Sequence, residues 1–303
     1  IKYFISLEVN SYLTYNIKSP TSKGFDKMGH LKNNYHTHNR LCNHAQGGAL
    51  DYVKKAVSLG MEEIGLSDHG PIPCRFMSHD EFIANLCYRN MSLDEFYNIY
   101  LPEVNEAKLK YQGDIKVLKA LEVEYIPGEE EFYSSLKEHL DYLNLGVHYF
   151  KDSKGNIINS YSQINYTNVL EYAKTACMGM RTGLFRTLVH PDLFMFDYKN
   201  IKGERRFDEA AIEASKLILD CAKETGTYLE VNVNGLSNSL KYHSDEWLYP
   251  YDEFWSLASK YKGLHIIIGV DAHNPEALDS EAIDMVKEFT KKMDLMIDDK
   301  MEL

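Results

Sequence analysis

Three features that the chain lacks exclude whole classes of protein. No run of about 18 apolar residues occurs in the 303 residues, so the sequence predicts no membrane-spanning helix. The cysteines are few and have no paired spacing: Cys42, Cys74, Cys87, Cys177 and Cys221. An odd, dispersed set of thiols is typical of a reducing compartment rather than of a disulfide framework, and we expect a cytoplasmic protein.

Basic residues are also fewer than acidic residues. The chain has 33 Lys and Arg against 45 Asp and Glu, and its formal net charge is -12. A nucleic-acid surface usually needs a basic patch, so we expect no nucleic-acid partner. A small phosphate ester would be repelled as well, unless divalent cations reverse the sign of the charge locally. The oligomeric state is left open by the sequence.

The first 30 residues differ in composition from the rest. They mix Ser, Asn, Lys and Pro without a period, and they lack the apolar core and cleavage site of a secretory signal. Met28 lies just before the first predicted histidine-bearing strand. We hypothesise that Met28 is the natural start and that residues 1–27 are upstream sequence. A genuine N-terminal extension over residues 1–30 is the alternative, and the intact mass of the natively expressed protein would decide between them.

From residue 34 onward, predicted strands and helices alternate, and the length allows one domain over residues 31–303. We predict strands at 33–37, 62–67, 115–124, 142–148, 186–190, 227–233 and 264–270. We predict helices at 48–59, 80–111, 129–139, 166–180, 208–225, 251–261 and 275–293. Seven strand–helix units indicate parallel strands with helical crossovers, either in a closed barrel or in an open sheet. No glycine-rich phosphate loop supports the open sheet.

Histidine and acid residues follow the predicted strands. His36 and His38 are two residues apart, so both imidazoles face one way on a regular strand. The other polar residues at strand ends or in the following loops are His44, Asp68, His69, Glu122, His148, His190, Asp271 and His273. Residues from strand ends throughout the chain converge most easily if the strands form a closed ring, and barrel enzymes have their active sites at the carboxyl ends of the strands. We therefore favour the barrel and predict one polynuclear metal site.

A single histidine is weak evidence for a metal, since it is more often structural than ligating. The joint pattern is stronger, because a buried polar group must find a partner. Imidazole suits Zn, Fe or Mn, and carboxylates can bridge two ions. The remaining histidines have no such motif, and we interpret them as surface or core residues: His30, His79, His139, His243 and His265.

Together the motifs resemble those of the polymerase and histidinol phosphatase (PHP) superfamily of phosphoesterases. They are His36-Thr37-His38, His44-Ala45, Ser67-Asp68-His69-Gly70, Leu121-Glu122-Val123-Glu124-Tyr125, Gly146-Val147-His148, His190-Pro191-Asp192 and Asp271-Ala272-His273. The resemblance covers about residues 33–292. The continuation Tyr125-Ile126-Pro127-Gly128 and the segment Glu230-Val231-Asn232 favour the histidinol-phosphate phosphatase branch. The resemblance implies a distorted (β/α)7 barrel of the α/β class.

The resemblance also implies three divalent metal ions, of Zn, Fe or Mn. The implied ligands are His36, His38, Glu122 and Asp271 for the first ion, Glu122, His148 and His190 for the second, and His44, His69 and His273 for the third. Three such ions outweigh the two carboxylates, so the site would attract a phosphate ester to an acidic protein.

Some positions near the implied ligands leave alternatives open. Ala120 stands where the family usually has Gly, and Val270 stands where it usually has Ser. Glu124 shares the strand face of Glu122, so spacing alone leaves both as candidates for the bridge. Asp68 either orients a ligand or forms a turn, and Asp192 is either a second such residue or a cap.

The function implied by the resemblance is hydrolysis of L-histidinol phosphate to L-histidinol and phosphate, by a hydroxide that bridges metal ions. Asp271, Glu122 and His36 are the predicted catalytic residues. An arginine fork on the phosphate is expected from Arg40, Arg75 or Arg186. The alternatives are a PHP phosphoesterase acting on nucleotides or other small esters, a non-catalytic metal-storing barrel, and an amidohydrolase-like enzyme.

Overall fold

Seven parallel strands form one sheet whose order in space follows the order in the chain, and two further strands form a separate antiparallel hairpin. The computed structural model describes residues 29–73, 76, 89–242 and 248–303, so Met28, Arg75, His79 and His243 lie outside the described residues. The strands are β1 (Asn33–Asn34), β2 (Glu63–Leu66), β3 (Lys116–Glu124), β4 (Tyr142–Gly146), β5 (Tyr149–Lys151), β6 (Ile157–Asn159), β7 (Thr187–Leu188), β8 (Tyr228–Asn232) and β9 (Ile266–Gly269).

The sheet returns on itself where the segments after β1 and β9 meet. His38 N donates to Ala272 O at 2.8 Å, and Ala272 N donates to His36 O at 3.3 Å. The buried Asn34 side chain adds a bond, because its Oδ1 accepts from Val270 N at 2.9 Å. With β1 only two residues long, these contacts replace a longer strand ladder at the closure. The predicted distorted (β/α)7 barrel is confirmed.

Helices cover the outside of the sheet, and none of those described has the length and apolar character needed to cross a bilayer. They are α1 (Ala49–Ser58), α2 (the contiguous stretches Leu93–Glu95, Phe96–Tyr100 and Leu101–Lys110), α3 (Glu130–Lys137), α4 (Val169–Arg181), α5 (Glu209–Thr225), α6 (Val233–Tyr242), α7 (Asp252–Ala258) and α8 (Glu281–Lys292). Helix α5, the longest uninterrupted stretch of regular α-helix described, is capped at its N-terminus by Asp208, whose side chain accepts from Ala211 N. It ends at Gly226 with φ 67°, a left-handed conformation that suits glycine.

The β5–β6 hairpin and helix α6 were not predicted, and one predicted helix is divided. The β5–β6 hairpin is stabilised at its turn by Asp152, which accepts from the N–H groups of Lys154 and Asn156. Helix α6 directly follows β8, and Asn232 Oδ1 accepts from Gly235 N at 2.8 Å in its first turn. The predicted helix at 275–293 is a 3₁₀ turn followed by α8, because Asp279 leaves the helical conformation between them.

Residues 298–303 cover the end of the barrel where the strands begin. Met301 is buried, its N–H donates to Tyr35 Oη at 3.1 Å, and its sulfur accepts from Thr187 Oγ1. Glu302 N donates to Tyr228 Oη at 3.2 Å. The predicted polar residues lie at the opposite end, where the strands finish.

Candidate metal centre

The polar residues that follow the strands line a single cavity of about 900 Å³ at the carboxyl ends of the strands. His36 is fully buried beneath it. The other eight predicted ligands lie on its surface: His38, His44, His69, Glu122, His148, His190, Asp271 and His273. The structure therefore brings together all nine residues, which are up to 237 positions apart in the sequence.

Glu122 lies at the middle of this group, and its two carboxylate oxygens face different imidazoles. Oε1 lies 2.9 Å from His190 Nε2 and 3.4 Å from His148 Nε2. Oε2 lies 3.3 Å from the Nε2 atoms of both His36 and His38. A carboxylate placed in this way can supply one oxygen to each of two metal ions.

Asp271 approaches His36 and His38 from the opposite side. Its Oδ1 lies 3.0 Å from His38 Nε2 and 3.6 Å from His36 Nε2. This oxygen is buried and makes no hydrogen bond of acceptable geometry, whereas Oδ2 accepts from Asn232 Nδ2 and Asn234 Nδ2. A buried carboxylate oxygen that faces two imidazole nitrogens fits a divalent cation bound between them.

A third group forms at the rim, from residues of the loop before α1 and the segment after β9. His44 Nε2 and His273 Nε2 are 3.0 Å apart. The ligand atoms of His38, His69 and His273 also lie within 4.8 Å of one another. Nitrogens that converge on one point in this way are arranged as chelating ligands are.

Most of these imidazoles are oriented by an acceptor on Nδ1, which leaves Nε2 for the cluster. The acceptor is Glu230 Oε2 for His36 at 2.9 Å, Asp68 Oδ1 for His38 at 3.3 Å and Glu124 Oε1 for His148 at 2.7 Å. For His44 and His273 the acceptors on Nδ1 are the backbone carbonyls of Cys42 and Asp271. Such second contacts fix the tautomer and the ring plane of metal-binding histidines.

The backbone is strained at two of the clustered residues. His190 has φ 33° and Asp271 has φ 52°, values that residues with a side chain rarely adopt. Strain of this kind persists only where surrounding contacts over-determine it, and it concentrates at functional sites.

Residues 34–234, which contain seven of the nine clustered residues, match the family model described as PHP domain. The match spans more than half of the chain. This chain belongs to the PHP family. The resemblance drawn from the motifs is therefore confirmed.

Relatives within the PHP family extend over most of the chain. The chain is 24% identical over 272 residues to the histidinol-phosphatase of Bacillus subtilis strain 168, covering 80% of this chain and 93% of that protein. Its fold is similar to the crystal structure of histidinol phosphate phosphatase from Lactococcus lactis subsp. lactis Il1403, complexed with zinc, L-histidinol and phosphate. That likeness has a TM-score of 0.61 at 19% identity, over 88% of this chain and 94% of that one. At such an identity it shows the fold alone.

Burial and neighbouring charges set the protonation of the PHP site. Burial alone raises the pKa of a carboxyl group, yet the surrounding imidazoles hold the pKa of Glu122 and of Asp271 well below the usual value. Burial, with nearby imidazoles, lowers the pKa of His44 and of His273 to about 4. At neutral pH the site thus contains ionised carboxylates and uncharged rim imidazoles, which is the donor set of a site for divalent cations.

The inner imidazoles have the opposite shift. Burial lowers the pKa of His38, but Asp271 and Asp68 outweigh it and raise this pKa to about 9. Burial is likewise outweighed at His148, where Glu124 and Glu122 raise the pKa to about 9. These inner rings hold protons that a bound cation would displace.

Two of the three predicted phosphate-binding arginines do not line the cavity. Arg40 pairs with Glu103 of α2 and Arg186 lies over the Tyr228 ring at the other end of the barrel, so neither is among the described residues that line the cavity. Arg75 lies outside the described residues. Arg89, which the sequence analysis missed, does line the cavity. No strand end or motif marks it, because it comes from a segment between β2 and α2.

Other features of the site also escaped the sequence analysis. Glu230 was noticed as part of a motif, but its contact with His36 was not foreseen. Tyr161 and Tyr249 line the cavity from loops without any periodic pattern. Among the histidines interpreted as surface or core residues, His30, His139 and His265 lie away from the cavity.

Proposed function

We propose that this chain is a metal-dependent phosphomonoesterase that hydrolyses L-histidinol phosphate to L-histidinol and phosphate, a step of histidine biosynthesis. The observation that carries the proposal is the position of Glu122, whose two oxygens face two separate groups of imidazoles inside one cavity. The substrate is supported by the histidinol-phosphatase named among its relatives, whose length the chain nearly spans.

Three divalent ions would be held by the predicted ligands. His36, His38, Glu122 and Asp271 would hold the first, Glu122, His148 and His190 the second, and His44, His69 and His273 the third. When bound, such ions lower the pKa of water and neutralise phosphoryl oxygens. Zn, Fe and Mn all accept imidazole and carboxylate ligands.

The protein's own groups then position the reaction. The carboxylates of Glu230, Asp68 and Glu124 accept from Nδ1 of His36, His38 and His148, respectively. These bonds fix each ring so that its Nε2 atom points toward the cluster. Arg89 supplies a cation at the cavity for a phosphoryl oxygen. We assign catalytic roles to Asp271, Glu122 and His36, because Glu122 Oε2 and Asp271 Oδ1 lie 3.3 and 3.6 Å from His36 Nε2.

Phosphate release from L-histidinol phosphate by the zinc- or manganese-loaded protein tests the proposal. We expect a higher kcat/KM for histidinol phosphate than for AMP and other nucleoside monophosphates. Faster release from the nucleotides would instead assign a nucleotide phosphoesterase, and bound metal without turnover would indicate metal storage. His36→Ala should abolish turnover and lower the metal content, while His139→Ala, an exposed histidine away from the cavity, should do neither.

A further inference from the structure

One side of the cavity is lined almost entirely by uncharged side chains. We call Tyr161, Phe196, Leu248 and Tyr249 the aromatic wall; all four line the cavity. Asn234 and Asn238 lie beside it. Apart from the nine proposed ligands, the charged side chains among the described lining residues are Arg89 and Glu124. Both oxygens of Glu124 are already used by His148 and Tyr149.

The aromatic wall begins where the second ligand group ends. The Tyr161 ring is stacked on His148, with 5.7 Å between centroids and 11° between planes. The Tyr249 ring lies 6.2 Å from His190, and Phe196 contacts both tyrosine rings. An ester whose phosphoryl group is bound among the ligands would place its organic part along these rings.

Contacts behind the cavity fix the position of Tyr249. Gly235 of α6 lies against its ring, so closely that a Cβ at this position would be 2.2 Å from a ring carbon. The buried Asp192 accepts from Tyr251 N at 2.6 Å and from Trp255 Nε1 at 3.0 Å, which anchors the chain just after Tyr249. These contacts hold the Tyr249 ring in place from behind the cavity.

We propose that the aromatic wall selects the leaving group, and that Tyr249 is its specificity-determining residue for esters that carry a flat ring. Aromatic faces stack favourably on another ring and gain little from a short hydroxylated chain. The amides of Asn234 and Asn238 can both donate and accept, which suits a heteroaromatic ring that carries N–H and unprotonated nitrogen. This inference deepens the proposed function and rests on it for the identity of the ring, an imidazole.

Kinetics on two substrates test the inference with the metal-loaded protein. For Tyr249→Leu we expect kcat/KM on L-histidinol phosphate to fall about 10- to 100-fold, mainly through KM. On glycerol phosphate, which has no ring, kcat/KM should change less than about 3-fold, a smaller effect than the loss of one apolar contact. An equal fall on both substrates would overturn the inference, because the wall would then be supporting the ligands.

Two further variants separate specificity from folding. Gly235→Ala lies outside the cavity and should displace the Tyr249 ring, so it should lower kcat/KM for histidinol phosphate selectively, as Tyr249→Leu does. Tyr198→Phe is the matched control, because Tyr198 is a buried tyrosine bonded to Asp208 and is not among the described residues that line the cavity. It should leave the ratio between the two substrates unchanged. A normal ratio in Gly235→Ala would count against Tyr249 as the reader of the ring.

A second substrate pair keeps this inference distinct from the proposed function. If the wild-type protein releases no phosphate from histidinol phosphate, the proposed function is wrong. Phenyl phosphate and glycerol phosphate then still test the wall, which predicts a preference for the phenyl ester that Tyr249→Leu removes. Equal rates on these two esters in the wild-type protein would refute the wall as a selector of rings.

Discussion

Glu122 and Glu124 lie two positions apart on β3, on the same face of the strand, yet they contact different atoms of the same histidine. Glu122 Oε1 lies 3.4 Å from His148 Nε2, and Glu124 Oε1 lies 2.7 Å from His148 Nδ1. The His148 ring is therefore held between the two carboxylates. One of them faces the ligand group, and the other fixes the ring from behind.

This relationship predicts unequal effects of matched substitutions. Glu122→Gln removes the charge between two ligand groups, so we expect loss of bound metal and of detectable turnover. Glu124→Gln weakens only the orientation of His148 and should lower metal affinity or activity about 10- to 100-fold, with turnover restored in part by excess metal. Metal content and phosphate release at several metal concentrations check both. Equal losses in the two variants would contradict the division of roles.

The alternation of strands and helices, and the nine residues that meet at the cavity, could be predicted from the sequence, because strand-forming runs and the polar residues that follow them are local patterns. Most barrel strands are rich in apolar residues, although β1 consists of two asparagines, and His36, Glu122 and Asp271 stand in or just beyond the strands. Glu124 could not be separated from Glu122, since a period of two places both on one face. Arg89 and Tyr249 come from irregular segments, whose path depends on tertiary contacts such as that of Tyr249 with Gly235. No local pattern specifies such contacts.

Metal binding should release protons at neutral pH. In the metal-free protein the pKa values of His38 and His148 are raised to about 9, so both rings are largely protonated at pH 7. Metal ligation requires neutral imidazole, so each ring must give up its proton. Metal affinity should therefore rise as the pH increases toward about 9 and then level off. Calorimetric titration with Zn²⁺ at pH 7, in buffers of different ionisation enthalpy, measures the release. Zero release would show that these rings are neutral or do not bind metal.

Arg89 should matter for catalysis more than the arginines that the sequence suggested. Arg89→Ala removes a cation that lines the cavity, so we expect kcat/KM for phosphate esters to fall about 10-fold or more, as for loss of one charge-assisted hydrogen bond. Arg186→Ala is the matched control, because that guanidinium contacts the Tyr228 ring and the Glu302 carbonyl at the other end of the barrel. The kcat/KM of Arg186→Ala should equal that of the wild-type protein. Steady-state kinetics on one ester suffice, and a larger effect from Arg186→Ala would reverse the assignment.

The two ends of the barrel should respond differently to substitution, and Met301 tests the end without ligands. Its side chain is 1% exposed and packs inside the barrel with Tyr35 and Tyr228. Met301→Ala should reduce the free energy of unfolding by about 2–5 kcal/mol, through lost burial and a residual cavity. Met296→Ala, at a methionine that is 87% exposed, should leave it nearly unchanged. Urea unfolding of the metal-free proteins measures both, since bound metal would add its own stabilisation.

The same substitution should not affect catalysis. Because the proposed active site lies at the opposite end of the barrel, kcat of the metal-loaded Met301→Ala protein should equal that of the wild type. A lower kcat at unchanged stability would instead couple this end of the barrel to the ligand cluster.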